Sequence, residues 1–206
     1  GMSIFGGPPK DNARQLGVDG HVRDKDGTFA ALLLAEVAAY AKDRGNTLLD
    51  LLAALYLDPA IGLFVNFYEP DPQDGEFPGL RGESHKRDIL MAAMKLHERV
   101  QAGEHVEIGG KAVDSSVVYL TGKYDKANWL GFPDEGIRFY FTEDTLNSLI
   151  IRPSGTSNSL RFHVQLHQGT GLTKENVRSE KARLLREARA VVDHLRALIG
   201  SPRDVV

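Results

Sequence analysis

The chain has 206 residues, of which 42% are hydrophobic and 26% charged, with a formal net charge of -3 and no cysteine. This composition suits a globular protein with a sizeable core in one or two domains. It excludes a disulfide framework and thiolate metal sites, and it gives no blanket attraction to nucleic acid or anionic membrane, so any anion site must be local.

No apolar run reaches the ~18 residues that suggest a membrane span, and the start "GMSIFGGPPK" lacks the basic-then-apolar order of a secretory signal. The absence of cysteine fits a reducing, cytoplasmic compartment. Gly1 before Met2 reads as the scar of a cleaved tag, with Met2 as the expected start of the natural frame. Residues 1–20, rich in Gly, Pro and polar groups, read as loop.

A helix is predicted from Asp26-Gly27-Thr28 through "TFAALLLAEVAAYAKDRG". Phe29, Leu32, Leu33, Val37 and Tyr40 recur at helical spacing, and Gly45 is a C-terminal stop. Thr47 opens a second helix, "TLLDLLAALY", with Asp50 three residues on in capping-box position. Both helices are expected to be largely buried. "IGLFVNFY" (61–68) reads as a strand, and "EPDPQDGEFPG" (69–79), with three prolines and two glycines, reads as a linker between domains.

Beyond it the pattern predicts a helix near Glu83–Gln101, with Ile89, Leu90, Met91, Met94 and Val100 as its apolar residues. Short strands follow near 104–108, 116–120, 137–142, 146–152 and 160–167. A closing helix carries a stripe of Val177, Leu184, Leu185, Ala188, Val191, Val192, Leu195 and Leu198, stopped by Gly200 and Pro202. Strands at hairpin spacing between two helices predict an α+β domain, an antiparallel sheet covered on one face.

The segment with most chemistry joins the last two strands: Arg152-Pro153-Ser154-Gly155-Thr156-Ser157-Asn158-Ser159. Arginine offers a planar bidentate fork, the hydroxyls of Ser154 and Thr156 can donate, and Gly155 lets the backbone approach a ligand with its N–H groups aimed one way. These are the requirements of a phosphate. Ser, Gly and Thr are also ordinary turn residues, so composition alone leaves a polar hairpin turn and a phosphate cradle both open. Arg161 on the next strand either adds charge to the loop or faces solvent. His163 and His167 lie four apart, about 13 Å along one strand face at ~3.3 Å per residue, and with no third ligand evident they do not read as a zinc site. "ESHKR" (83–87) and "RSEKARLLREAR" (178–189) read as solvated helix faces, and Trp129 as either a contact residue on a loop or, preferably, a lid on the core.

"RPSGT" between two strands and before a long final helix resembles the phosphate-binding loop of the α-D-phosphohexomutases, the phosphoglucomutase/phosphomannomutase family. "GVDGHVRDKDGTFAALLLAEVAAYAKDRGNTLLDLLAALY" (17–56) is similar to the end of that family's third domain. The resemblance implies a partial α/β third domain over 1–68, a linker over 69–79, and over 80–206 the complete C-terminal domain of TATA-binding-protein-like type. It assigns substrate-phosphate binding to Arg152, Ser154, Gly155 and Thr156, and substrate contacts to His21 and Lys25. It implies a hexose phosphate as ligand and Mg²⁺ as the full-length family's metal. It also implies a separate N-terminal catalytic half as partner; the face left open by the missing part of the third domain favours a second copy of the chain instead, and the net charge of -3 calls for neither nucleic acid nor membrane.

The departures are also specific. Glu-Pro usually follows the family's threonine; here the residues are Ser157-Asn158. The sugar-recognition loop Gly-Glu-x-Ser is replaced by Pro8-Pro9-Lys10, which has neither carboxylate nor hydroxyl. The serine segment that carries the phosphoryl group and the Asp-x-Asp-x-Asp metal loop do not occur. Mutase turnover, the shift of a phosphoryl group between hexose oxygens, is therefore not expected from this chain alone. The remaining expectations are phosphosugar binding, as part of a larger site or by a stand-alone module, and self-association.

Overall fold

A computed structural model of the protein describes residues 27–71, 76–119, 133, 135–154 and 157–201. The chain divides into two compact units, Gly1–Leu55 and Tyr56–Val206.

In the first unit, helix α1 (Gly27–Asp43) ends where Gly45 adopts φ 70°, and the amides of Arg44, Gly45 and Asn46 turn back onto the carbonyls of Ala41 and Lys42. Helix α2 (Leu48–Leu57) starts with the expected capping box. The Thr47 amide and hydroxyl donate to Asp50 Oδ2 at 2.8 and 2.7 Å, and the Asp50 amide donates to Thr47 Oγ1 at 3.2 Å. The expectation that both helices are largely buried does not hold. Only Ala41 is buried in α1 and no residue is buried in α2, while Leu32 and Leu49 are 65% and 68% exposed. Two helices, which are all of this unit that is described, form no second layer in which their leucines can be enclosed.

The second unit is α+β. It runs β1 (Leu63–Asp71), α3 (Gly79–Gln101), β2 (Glu107–Ile108), β3 (Lys111–Tyr119), β4 (Gly136–Phe141), β5 (Ser148–Pro153), β6 (Leu160–Gln168) and α4 (Val177–Ile199). The strands form one antiparallel sheet in the order β1-β6-β5-β4-β3-β2. β1 crosses to the far edge through α3, and the chain then meanders back until β6 lies beside β1. Pairing with β6 continues to Asp71, so β1 runs into the Pro/Gly-rich stretch 69–79, and the compact division falls before this strand. Pro70 is tolerated because β1 is an edge strand.

Alternation along the strands builds the core. Leu160, Phe162, Val164 and Leu166 of β6, Leu149 and Ile151 of β5, and Ile137, Phe139 and Phe141 of β4 are buried. They meet Ile89, Leu90, Ala93 and Leu96 of α3 and Leu184, Ala188, Val191, Val192 and Leu195 of α4. Each large apolar side chain enclosed this way contributes about 1.5–3 kcal/mol. Three residues of the predicted stripes lie outside this core: Met91, Leu185 and Leu198 are exposed, because they flank the 100° arc that meets the sheet. Their place is taken by Ile199 and by Arg196, whose side chain is 3% exposed. Arg196 lies 3.0 Å from Glu69, donates to the Pro70 carbonyl at 3.0 Å and stacks over Phe162 at 4.5 Å, tying α4 to β1.

Candidate functional site

The residues that alternate with the core emerge on the opposite face of the sheet. On β4 these are Arg138 and Tyr140, on β5 Ile150 and Arg152, and on β6 Arg161, His163, Gln165 and His167. Register brings the basic ones together. Arg152 stands directly opposite Arg161, and Ile150 lies between His163 on one side and Arg138 on the other. Directly opposed residues sit about 5 Å apart and diagonal ones about 7–8 Å apart, so three guanidinium groups and an imidazole share one patch. No carboxylate forms an ion pair with Arg138, Arg152 or Arg161 among the described residues. Arg138, Arg152 and His163 line an open cavity of about 720 Å³ that reaches Tyr68 and Asn66 on β1, Tyr119 on β3 and Glu135, and Arg161 stands across from Arg152 beside it.

Gly136 makes this geometry available. Its φ is 109°, and a Cβ there would fall 2.4 Å from the Ile151 carbonyl oxygen and 2.6 Å from Arg152 Cβ. Only glycine lets β4 pass so close to the root of Arg152.

The groups of the patch perturb one another. Burial, followed by the charges of Arg152, Arg161 and Arg138, holds the His163 imidazole below its ordinary range. Hydrogen bonds from Tyr119 and Arg138 hold the Tyr140 phenol below its usual value, and the bond to Tyr140 raises that of Tyr119. Arg138 Nε and His163 Nε2 are both buried atoms without a hydrogen-bond partner among the described residues.

Arg152 and Ser154 of the RPSGT segment lie together at the end of β5, beside this patch. The Ser154 amide donates to the Ser159 carbonyl at 2.9 Å and closes the hairpin. Ser157 Oγ lies 2.8 Å from the hydroxyls of both Ser154 and Ser159. Asn158 anchors the loop's exit: its carbonyl accepts from the Phe77 amide at 2.8 Å, its side-chain amide donates to the Phe77 carbonyl, and its Oδ1 accepts from Lys86 Nζ. Burial lowers the Lys86 pKa against the pull of Glu83 and Glu76. Gly155 and Thr156, like His21 and Lys25, lie outside the described residues.

Of these residues the sequence singles out Arg152 and Ser154, leaves Arg161 open, reads His163 only as one of a histidine pair, and does not single out Arg138. The available signal is the period-two pattern of "GIRFYF" and "LRFHVQL", in which cations occupy the polar phase of otherwise apolar strands. The register between β4 and β5 was also needed, and no turn chemistry announces it. His167, on the same face as His163, serves elsewhere: its ring nitrogens face Asp144 Oδ2 at 2.6 Å and the Ile61 carbonyl at 3.0 Å, and the His167 hydrogen bond lowers the Asp144 pKa. A smaller cavity beside it is lined by an internally paired network: Lys111 meets Glu143 at 2.7 Å and Glu187 at 3.5 Å, and Arg183 meets Glu180, Glu187 and Gln168.

Compared with protein-family models and with curated proteins, the chain matches none.

Proposed function

We propose that the protein binds the phosphate of a hexose phosphate through the loop after β5, as the C-terminal region of a phosphohexomutase-like protein. The observation that carries this reading is the Arg152–Arg161 pair. Like charges directly opposed across two strands destabilise a sheet unless an anion lies between or above them. Ser154 adds a hydroxyl at the same end of β5, and Asn158 at the loop's exit is anchored to Phe77. The resemblance of "RPSGT" and "HVRDKDG" to the family supplies the ligand class, and the order of strands and helices in the second unit is consistent with a TATA-binding-protein-like C-terminal domain.

In this reading the chain binds and orients, and the phosphoryl transfer belongs to residues it lacks. The nucleophilic serine segment and the Asp-x-Asp-x-Asp loop for Mg²⁺ are missing from its sequence, so no step is assigned to a metal here. The same observations serve a stand-alone phosphosugar-binding module, since they concern binding only. NMR titration with glucose 1-phosphate and with inorganic phosphate tests the reading. Saturable shifts around Arg152 that vanish in Arg152→Ala are expected. Equal responses from wild type and variant would make the loop a turn and nothing more.

A further inference from the structure

The cationic patch extends well beyond the loop. Arg138 sits on β4, two strands away from β6 and its His163, and neither residue belongs to the RPSGT segment. Each has a buried ring or guanidinium nitrogen without a hydrogen-bond partner among the described residues, a condition unusual for a buried polar group. Both residues flank the same strand position, Ile150, and both line the 720 Å³ cavity. The remaining lining suits the organic part of a small polar ligand. Tyr68, 49% exposed, packs against His163 with ring centroids 4.7 Å apart, and Asn66 and Gln165 present side-chain amides beside it.

We propose that the open face of the sheet is itself an oxyanion site, in which Arg138 and His163 join Arg152 and Arg161 around one tetrahedral dianion of a phosphate monoester. The ester's organic part lies over Tyr68 and the amides of Asn66 and Gln165. One dianion here offsets the repulsion of the three arginines, none of which has an ion-pair partner among the described residues. The inference shares Arg152 with the loop reading but does not need the loop's serine.

The test is an NMR titration of the full chain with sodium phosphate and sodium sulfate at constant ionic strength, with Arg138→Gln, His163→Gln, Arg161→Gln and Ser154→Ala beside wild type. Saturable shifts are expected at the amides of Arg138, Ile150 and His163. Affinity should fall about tenfold or more in Arg138→Gln and His163→Gln, as loss of a charge-assisted bond implies, and less than twofold in Ser154→Ala. If Arg138→Gln and His163→Gln bind as tightly as wild type, the inference fails. If Ser154→Ala alone removes binding, the loop reading survives without the sheet face. An absence of saturable shifts overturns both. Thermal unfolding in anion-free buffer separates binding from folding. Arg161→Gln should melt at or above the wild-type temperature, because it removes a like charge, and a drop of several degrees would make the arginines structural and overturn the inference.

Discussion

Gly136 and His163 set the site from opposite directions, one through shape and the other through charge. A Cβ on residue 136 has no room between the Ile151 carbonyl and Arg152, and φ 109° is foreign to other residues. Gly136→Ala should therefore cost about 2–4 kcal/mol in urea unfolding, from strain and a displaced strand. A cost below about 0.5 kcal/mol, within the range of ordinary surface changes, would show that β4 can yield there. His163 makes a pH prediction. Burial, and then the arginines, hold its folded-state pKa below the ordinary imidazole value of about 6.5. As pH falls below about 6.5, the unfolded chain takes up that proton before the folded one does, so stability is lost through this window and is unaffected above it. His163→Gln should remove this component from a series of melts between pH 7.5 and 5, and an unchanged pH profile would contradict the assignment. Residue-scale facts of this kind were poorly legible in the sequence. "DEG" and "RFHVQ" look ordinary until the register puts glycine against Arg152 and histidine among three arginines.

The elements themselves were largely legible. The Thr47–Asp50 capping box, the Gly45 and Gly200 stops and the alternation of β6 are local signals, and each predicts its own element. Burial was less legible, because it depends on what an element meets. The leucines of α1 and α2 spell a buried pair, yet they are exposed, while Arg196 inside the stripe of α4 is enclosed. That arginine shows how a helix and an edge strand are held. With side chains 3% and 9% exposed, Arg196 and Glu69 form an ion pair whose value lies less in attraction than in the cost of breaking it. Arg196→Ala should destabilise the protein by about 3–5 kcal/mol in chemical denaturation, because it leaves a buried carboxylate uncompensated. Arg196→Met combined with Glu69→Gln should recover much of that loss. A single-variant cost under 1 kcal/mol would show that Glu69 reaches water.

At the scale of the molecule, one face of a six-stranded antiparallel sheet is spent on the core against α3 and α4, and the other presents cations. A net charge of -3 makes this concentration of arginine a local feature of the sheet, not a reflection of overall composition. The linker composition pointed to a boundary at 69–79, whereas the compact division comes after Leu55, because β1 pairs with a strand nearly a hundred residues away and local composition carries no trace of that pairing. The central claim is that this face and the loop beside it hold a phosphate monoester. It is tested most directly by calorimetric titration of the full chain with glucose 1-phosphate, wild type against Arg152→Ala. A saturable isotherm is expected for wild type and at least a tenfold weaker one for the variant, about 1.4 kcal/mol or more. Superimposable isotherms for the two proteins, or none for wild type, would contradict it.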